Sequence, residues 1–70
     1  MFWWFERGGR YLRCETRFVR SDRYEFVTTM PDGIERVEQF TKSDAMAERQ
    51  TAIQRELEAE GWSGPHGWNI

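Results

Sequence analysis

For its first forty residues the chain alternates apolar and polar positions with a period of two, and then the spacing of its apolar residues lengthens to three and four. Each alternating run is bounded by turn residues. The first spans Phe2 to Arg7, and Gly8-Gly9 accepts the positive φ angles of a tight hairpin turn. The second runs from Arg10 to Arg20, and a loop at Ser21-Asp22-Arg23 leads to a third from Tyr24 to Met30. Pro31-Asp32-Gly33 then turns the chain into a fourth, Ile34 to Phe40. Short turns between successive strands predict an antiparallel meander.

The helical period begins near Thr41 to Ser43, whose hydroxyls suit the open backbone N–H groups of a helix start, and Asp44 suits the positive end of the dipole. Met46, Gln50, Ile53 and Leu57 form one narrow stripe, and the helix is expected to run to Glu60. Gly61 followed by Trp62 has the form of a left-handed stop with a hydrophobic contact. The predicted fold is α+β: a four-stranded antiparallel meander with one C-terminal helix packed on one face, ββββα, as a single domain over residues 1–62. Residues 63–70 read as a tail, with too much glycine and proline for regular structure, while Trp62 is expected to pack on the sheet or the helix end.

Strand neighbours point to opposite faces, so the turns sort the side chains. A two-residue Gly8-Gly9 turn sets Phe5 opposite Leu12 and Trp3 opposite Cys14. A three-residue loop at 21–23 adds Tyr24, Phe26, Thr28 and Met30 to the face that carries Leu12, Cys14, Thr16 and Phe18, and Ile34 and Phe40 join it. This is the expected core. The facing of the third strand rests on the length of that one loop. The opposite face then carries Phe2, Trp4, Tyr11, Arg13, Glu15, Arg17, Val19, Val27, Thr29 and Val37.

Composition narrows the class. Seventy residues allow one core, aromatics reach 16%, and the 10 basic and 12 acidic groups give a net charge of −2. That balance excludes a disordered polyelectrolyte and a strongly basic nucleic-acid-coating protein. The charge is nonetheless segregated, +2 over residues 1–30 and −4 over residues 31–70. A single cysteine excludes a disulfide scaffold and fits a small buried hydrophobe in a reducing compartment. Phe2-Trp3-Trp4-Phe5 is cut short by Glu6 and Arg7, so no secretory leader is expected, and no apolar run approaches the length of a membrane span. A cytoplasmic location without membrane contact is the expectation.

The outer face is where function is to be sought. One helix cannot cover both sides of the sheet, which leaves Phe2, Trp4 and Tyr11 beside Arg13 and Arg17. Tryptophan, tyrosine and arginine are the residues most often found at energetic hot spots of protein interfaces, which points to self-association as a homodimer or to another protein partner. The same mixture serves single-stranded nucleic acid, where rings stack on bases and arginines hold phosphates. A third expectation is local packing, with Trp4 stacked on Arg13 and Trp62 or Trp68 folded over it. Catalysis has little support: Cys14 belongs to the core face and His66 to the tail, too far apart in role to form a thiolate–imidazole pair. One cysteine and one histidine cannot supply the soft ligands of a zinc site. No cofactor is expected, and the chain is read as a non-enzymatic module.

Phe2-Trp3-Trp4-Phe5-Glu6-Arg7-Gly8-Gly9 leading into Tyr11-Leu12-Arg13-Cys14-Glu15-Thr16, with Gly61-Trp62 and Gly64-Pro65-His66-Gly67 at the other end, resembles a family of short uncharacterised bacterial proteins. That resemblance implies no activity. The order of four strands and a helix also resembles, in architecture, a Whirly-type single-stranded-DNA-binding module, which implies a sheet used as a nucleic-acid platform and chains that self-assemble. The lysine-rich strand motif of those modules is absent, Lys42 being the lone lysine, so no binding residue carries over.

Overall fold

The alternating segment forms four strands, β1 (Phe2–Arg7), β2 (Arg10–Arg20), β3 (Arg23–Thr29) and β4 (Glu35–Phe40), followed by one helix, α1 (Ser43–Ala59). A fifth strand, β5 (Ser63–His66), follows the helix. The structure is a computed structural model that describes residues 1–67. All pairings are antiparallel, in the order β4-β3-β2-β1-β5. The expected meander is therefore present, and the four-strand count is corrected to five.

The β1–β2 register matches the sequence reading, with Trp3 opposite Cys14 and Phe5 opposite Leu12. At the β2–β3 connection the turn is one residue shorter than expected, because Arg20 pairs with Arg23 across Ser21-Asp22. An irregularity between Phe18 and Arg20 puts one extra residue, Val19, into β2, and Phe18 still meets Tyr24. Two changes of one residue cancel, so β3 keeps its expected face.

Trp3, Phe5, Leu12, Cys14, Phe26 and Leu57 form the buried cluster, and Met30, Phe40, Met46, Ile53 and Trp62 pack against it. Fully burying an aromatic side chain removes roughly 150–250 Å² from water, on the order of 4–6 kcal/mol at most, so Trp3, Phe5 and Phe26 dominate so small a core. Trp3 and Phe26 stack with centroids 5.9 Å apart. Phe18 and Ile34 do not join them. Both stay exposed, at 69% and 62%. Phe18 faces the helix side, but α1 lies against β3, β4 and β5, and β1 reaches only to Glu15 of β2, so the end of the β2–β3 hairpin is uncovered. There Phe18 meets Tyr24 edge-on at 5.6 Å. Ile34 lies in the turn before β4 and is held through its backbone alone, to Met30 and to the Asp32 carboxylate.

The helix starts at Ser43, within the expected Thr41–Ser43, but the expected hydroxyl cap does not form. Lys42 is the N-cap and makes no side-chain cap bond, because Thr41 comes one residue too early and Ser43 is already inside the first turn. Its end follows expectation: Gly61 adopts φ +90°, its N–H donates to Glu58 C=O at 3.0 Å, and Trp62 N–H donates to Leu57 C=O at 3.0 Å. These are the two bonds of a Schellman stop. They send Trp62 onto the core and aim the following residues at β1.

The segment expected to be irregular becomes β5 because its glycines remove side chains where the backbone comes close. A Cβ on Gly64, at φ +136°, would lie 2.9 Å from Phe5 Cδ2 and 3.0 Å from Trp4 C=O. The Gly64–Pro65 peptide is cis. Ser63 Oγ donates to Glu6 C=O at 3.1 Å and fastens the near end of the strand.

Candidate interaction face

Register fixes the face opposite α1 as rows of side chains across the strands. One row is Phe2, Glu15, Val27 and Val37, the next is Trp4, Arg13, Thr29 and Glu35, and a third, nearer the hairpin end, is Arg17, Glu25 and Gln39. Glu6 and Tyr11 form a fourth at the opposite end. The five residues expected on this face, Phe2, Trp4, Tyr11, Arg13 and Arg17, are all on it. They are not equally available.

Phe2 and Tyr11 are 40% and 55% exposed, and Val37 at the far strand is 49% exposed. Val27, expected among the outer residues, lies on this side but is only 2% exposed. Phe2, Arg13, Glu15, Thr29 and Glu35 surround a small groove above it, so neighbouring side chains shelter it in place of a second layer. Trp4 is half-buried. Its ring lies 6.0 Å from that of His66 and 6.2 Å from that of Phe2, and it rests against the Cα of Gly67, where any Cβ would overlap the ring. Trp4 thus packs locally, but against His66 and Gly67, which are not the partners expected for it. Trp62 is on the other side of the sheet with the core, and Trp68 lies outside the described residues. The signal for this cover was Gly64 and Gly67 flanking Pro65-His66, a spacing that lets a strand pass beside large rings.

The electrostatics are mixed rather than basic. Arg17 Nη2 bonds Glu15 Oε1 at 3.0 Å, and its Nη1 lies 4.0 Å from Glu25 Oε1. The bond and charge of Glu15, then Glu25 and Glu35, hold the Arg17 guanidinium above its ordinary pKa. Arg17 is therefore committed to its own carboxylates. Arg13 is exposed, and no ion pair or hydrogen bond joins its guanidinium to another described residue. With Arg10 and Tyr11 it borders an open cleft of about 370 Å³ between the first hairpin turn and Pro31.

Cys14 and His66 lie on opposite sides of the sheet. Cys14 is in the core, where burial pushes its thiol up to about 12, the wrong direction for a nucleophile. His66 Nε2 is 3.3 Å from Ser63 Oγ. Since the Ser63 proton goes to Glu6 C=O, the imidazole donates to the hydroxyl, which is the reverse of base activation. Among the described residues no group of three His, Cys, Asp or Glu side chains could hold a metal ion, and no helix is long and apolar enough to cross a membrane. Compared with protein-family models, with curated proteins and with solved structures, the chain matches none.

Proposed function

We propose that the chain is a small non-enzymatic interaction module and that the face opposite α1 takes a protein, a second copy of the chain or another partner. The observation that carries this reading is the row Phe2, Val27, Val37, of which Phe2 and Val37 are exposed, with Tyr11 exposed two rows away: apolar groups on a face that no described element covers. Glu15 lies within that row, and Arg13, Glu25 and Glu35 flank it with groups of both signs, a mixture of apolar and polar groups that a protein interface uses. Four carboxylates on the same face, Glu6, Glu15, Glu25 and Glu35, repel a phosphate backbone, so nucleic acid is the weaker reading.

Sedimentation at tens of micromolar tests it. The wild type is expected to show self-association that Phe2→Ser combined with Tyr11→Ser weakens, while circular dichroism stays unchanged. Trp4→Ala is a poorer probe because Trp4 also carries β5. A wild type that stays monomeric, or that associates equally well without Phe2 and Tyr11, removes this face as a self-association surface. Salt-sensitive quenching of tryptophan fluorescence by an oligonucleotide would transfer the face to the nucleic-acid reading.

A further inference from the structure

The sheet ends at β4, and the outer edge of this strand pairs with nothing among the described residues. Which of its backbone groups are free follows from one hydrogen bond. Met30 N–H donates to Ile34 C=O at 2.8 Å, so Met30 and Ile34 form a hydrogen-bonded pair with β3. The register carries that alternation along the strand, and Arg36, Glu38 and Phe40 also turn their backbone toward β3. Glu35, Val37 and Gln39 turn theirs outward. Each presents one N–H and one C=O to solvent.

A natural edge of this length is ordinarily blunted by proline, a bulge or inward charge. The other edge of the sheet follows that rule, since β5 has four residues and contains Pro65. The β4 edge is six residues long, has no proline and continues regularly opposite β3, and the two charges it turns to the α1 side, Arg36 and Glu38, are of opposite sign.

We propose that this edge pairs antiparallel with the same edge of a second copy, joining two five-stranded sheets into one of ten strands. Self-complementarity selects the register. With Val37 opposite Val37 of the second copy on the twofold axis, Glu35 meets Gln39, Arg36 meets Glu38, and Ile34 meets Phe40. The outward groups of Glu35, Val37 and Gln39 then meet one another in hydrogen-bonded pairs, which leaves none of them open. Sliding the copies by one pair in either direction sets Arg36 opposite Arg36 or Glu38 opposite Glu38, and like charges directly opposite are unfavourable.

The side chains are prepared for this contact. Arg36 is exposed and has no ion pair with a described residue. Glu38 Oε1 is occupied by Arg49 Nε at 2.8 Å, which orients the carboxylate and leaves Oε2 for an incoming guanidinium. Ile34 and Val37, two of the exposed large hydrophobics of the molecule, would both be covered. Both helices would lie on the same side of the joined sheet, and the face that carries Phe2 and Tyr11 would stay open. Val37 belongs to both edge and face, so Arg36 and Glu38 on the one hand, and Phe2 and Tyr11 on the other, are the positions that separate them by mutation.

The test is analytical ultracentrifugation of the wild type, Arg36→Glu, Glu38→Arg and Val37→Pro, up to about 1 mM, the weak end of specific association. The wild type is expected to dimerise, and Arg36→Glu to weaken the dimer about tenfold by turning two attractive pairs into repulsive ones. Val37→Pro removes the N–H on the axis without touching the β3 pairing, and it is expected to be a folded monomer. Mixing Arg36→Glu with Glu38→Arg places opposite charges at both sites, so the mixture is expected to associate more tightly than either variant alone. A monomeric wild type overturns the proposal. So does a dimer indifferent to Arg36→Glu and Val37→Pro, or one lost only with Phe2→Ser and Tyr11→Ser, which would belong to the face. Folded single variants that fail to associate when mixed overturn the register and the proposal with it.

Discussion

Cys14 illustrates how one position acquires its properties from its neighbours. The alternation of β2 sends it to the same side as Leu12, and Trp3 opposite it closes the space, leaving the thiol 1% exposed. Burial disfavours the thiolate and raises the pKa from 9.0 to about 12. The folded state holds the proton more tightly than the unfolded state. The resulting stability is fully present below about pH 9 and is lost as the pH rises through that window toward 12. The urea midpoint is thus expected to fall over this range, and Cys14→Ala, although less stable, is expected to fall less steeply. A native thiol that reacts at mildly alkaline pH as fast as the urea-unfolded chain would show that this side chain is not enclosed. Thr28, also buried on this side, has an Oγ1 with no hydrogen-bond partner among the described residues.

At the scale of the element, β5 is the part of the fold least visible in advance. Its four residues have no hydrophobic alternation, and Gly64 and Pro65 are poor strand formers anywhere in a sheet interior. They are tolerated because the strand lies at an edge and because its path needs glycine in two places. Gly64 passes over Phe5 on the core side, and Gly67 lies on the ring of Trp4 on the other. Gly64→Ala and Gly67→Ala are each expected to cost about 1–3 kcal/mol, read as a lower urea midpoint with greater tryptophan quenching by acrylamide. Gly33→Ala is the control. It has a positive φ but nothing within 4 Å of a Cβ, so it is expected to cost less and leave quenching unchanged. The helix end, by contrast, was legible: Gly61-Trp62 gave both the left-handed residue and the apolar contact of its stop.

At the scale of the whole molecule, the sheet is longer than its cover. The fold measures 38 × 21 × 21 Å, and the buried cluster gathers where β1, β2, β3 and α1 overlap. The β2–β3 hairpin continues past β1 with Phe18 and Val19 exposed. Stability should be graded accordingly. Amide exchange is expected to be fastest across Arg17 to Tyr24 and slowest at Trp3, Phe5, Cys14 and Phe26; uniform protection along β2 would show that the projecting end is covered in solution. The mixed charge of the outer face belongs to this scale too. Charge is segregated along the chain, +2 over residues 1–30 and −4 over residues 31–70, and antiparallel pairing brings Glu25 of β3 and Glu35 of β4 onto one face with the arginines of β2.

The sequence by itself determined the four alternating strands, the helix and its stop, the two faces of β1 and β2 and the placing of Phe2, Trp4, Tyr11, Arg13 and Arg17 on the outer one. These follow from local rules: a period of two, a period near four, and turn residues with fixed backbone needs. Tertiary structure decided what depended on distant partners. It recruited β5 to Trp4, left Phe18 outside the core, and balanced a shorter turn with an extra residue at Val19. It also tied Arg17 to Glu15 and Glu25 and left the edge of β4 open. Which strand ends a sheet, and which side chain finds a cover, depends on contacts between residues far apart in the chain, and local alternation carries no record of them.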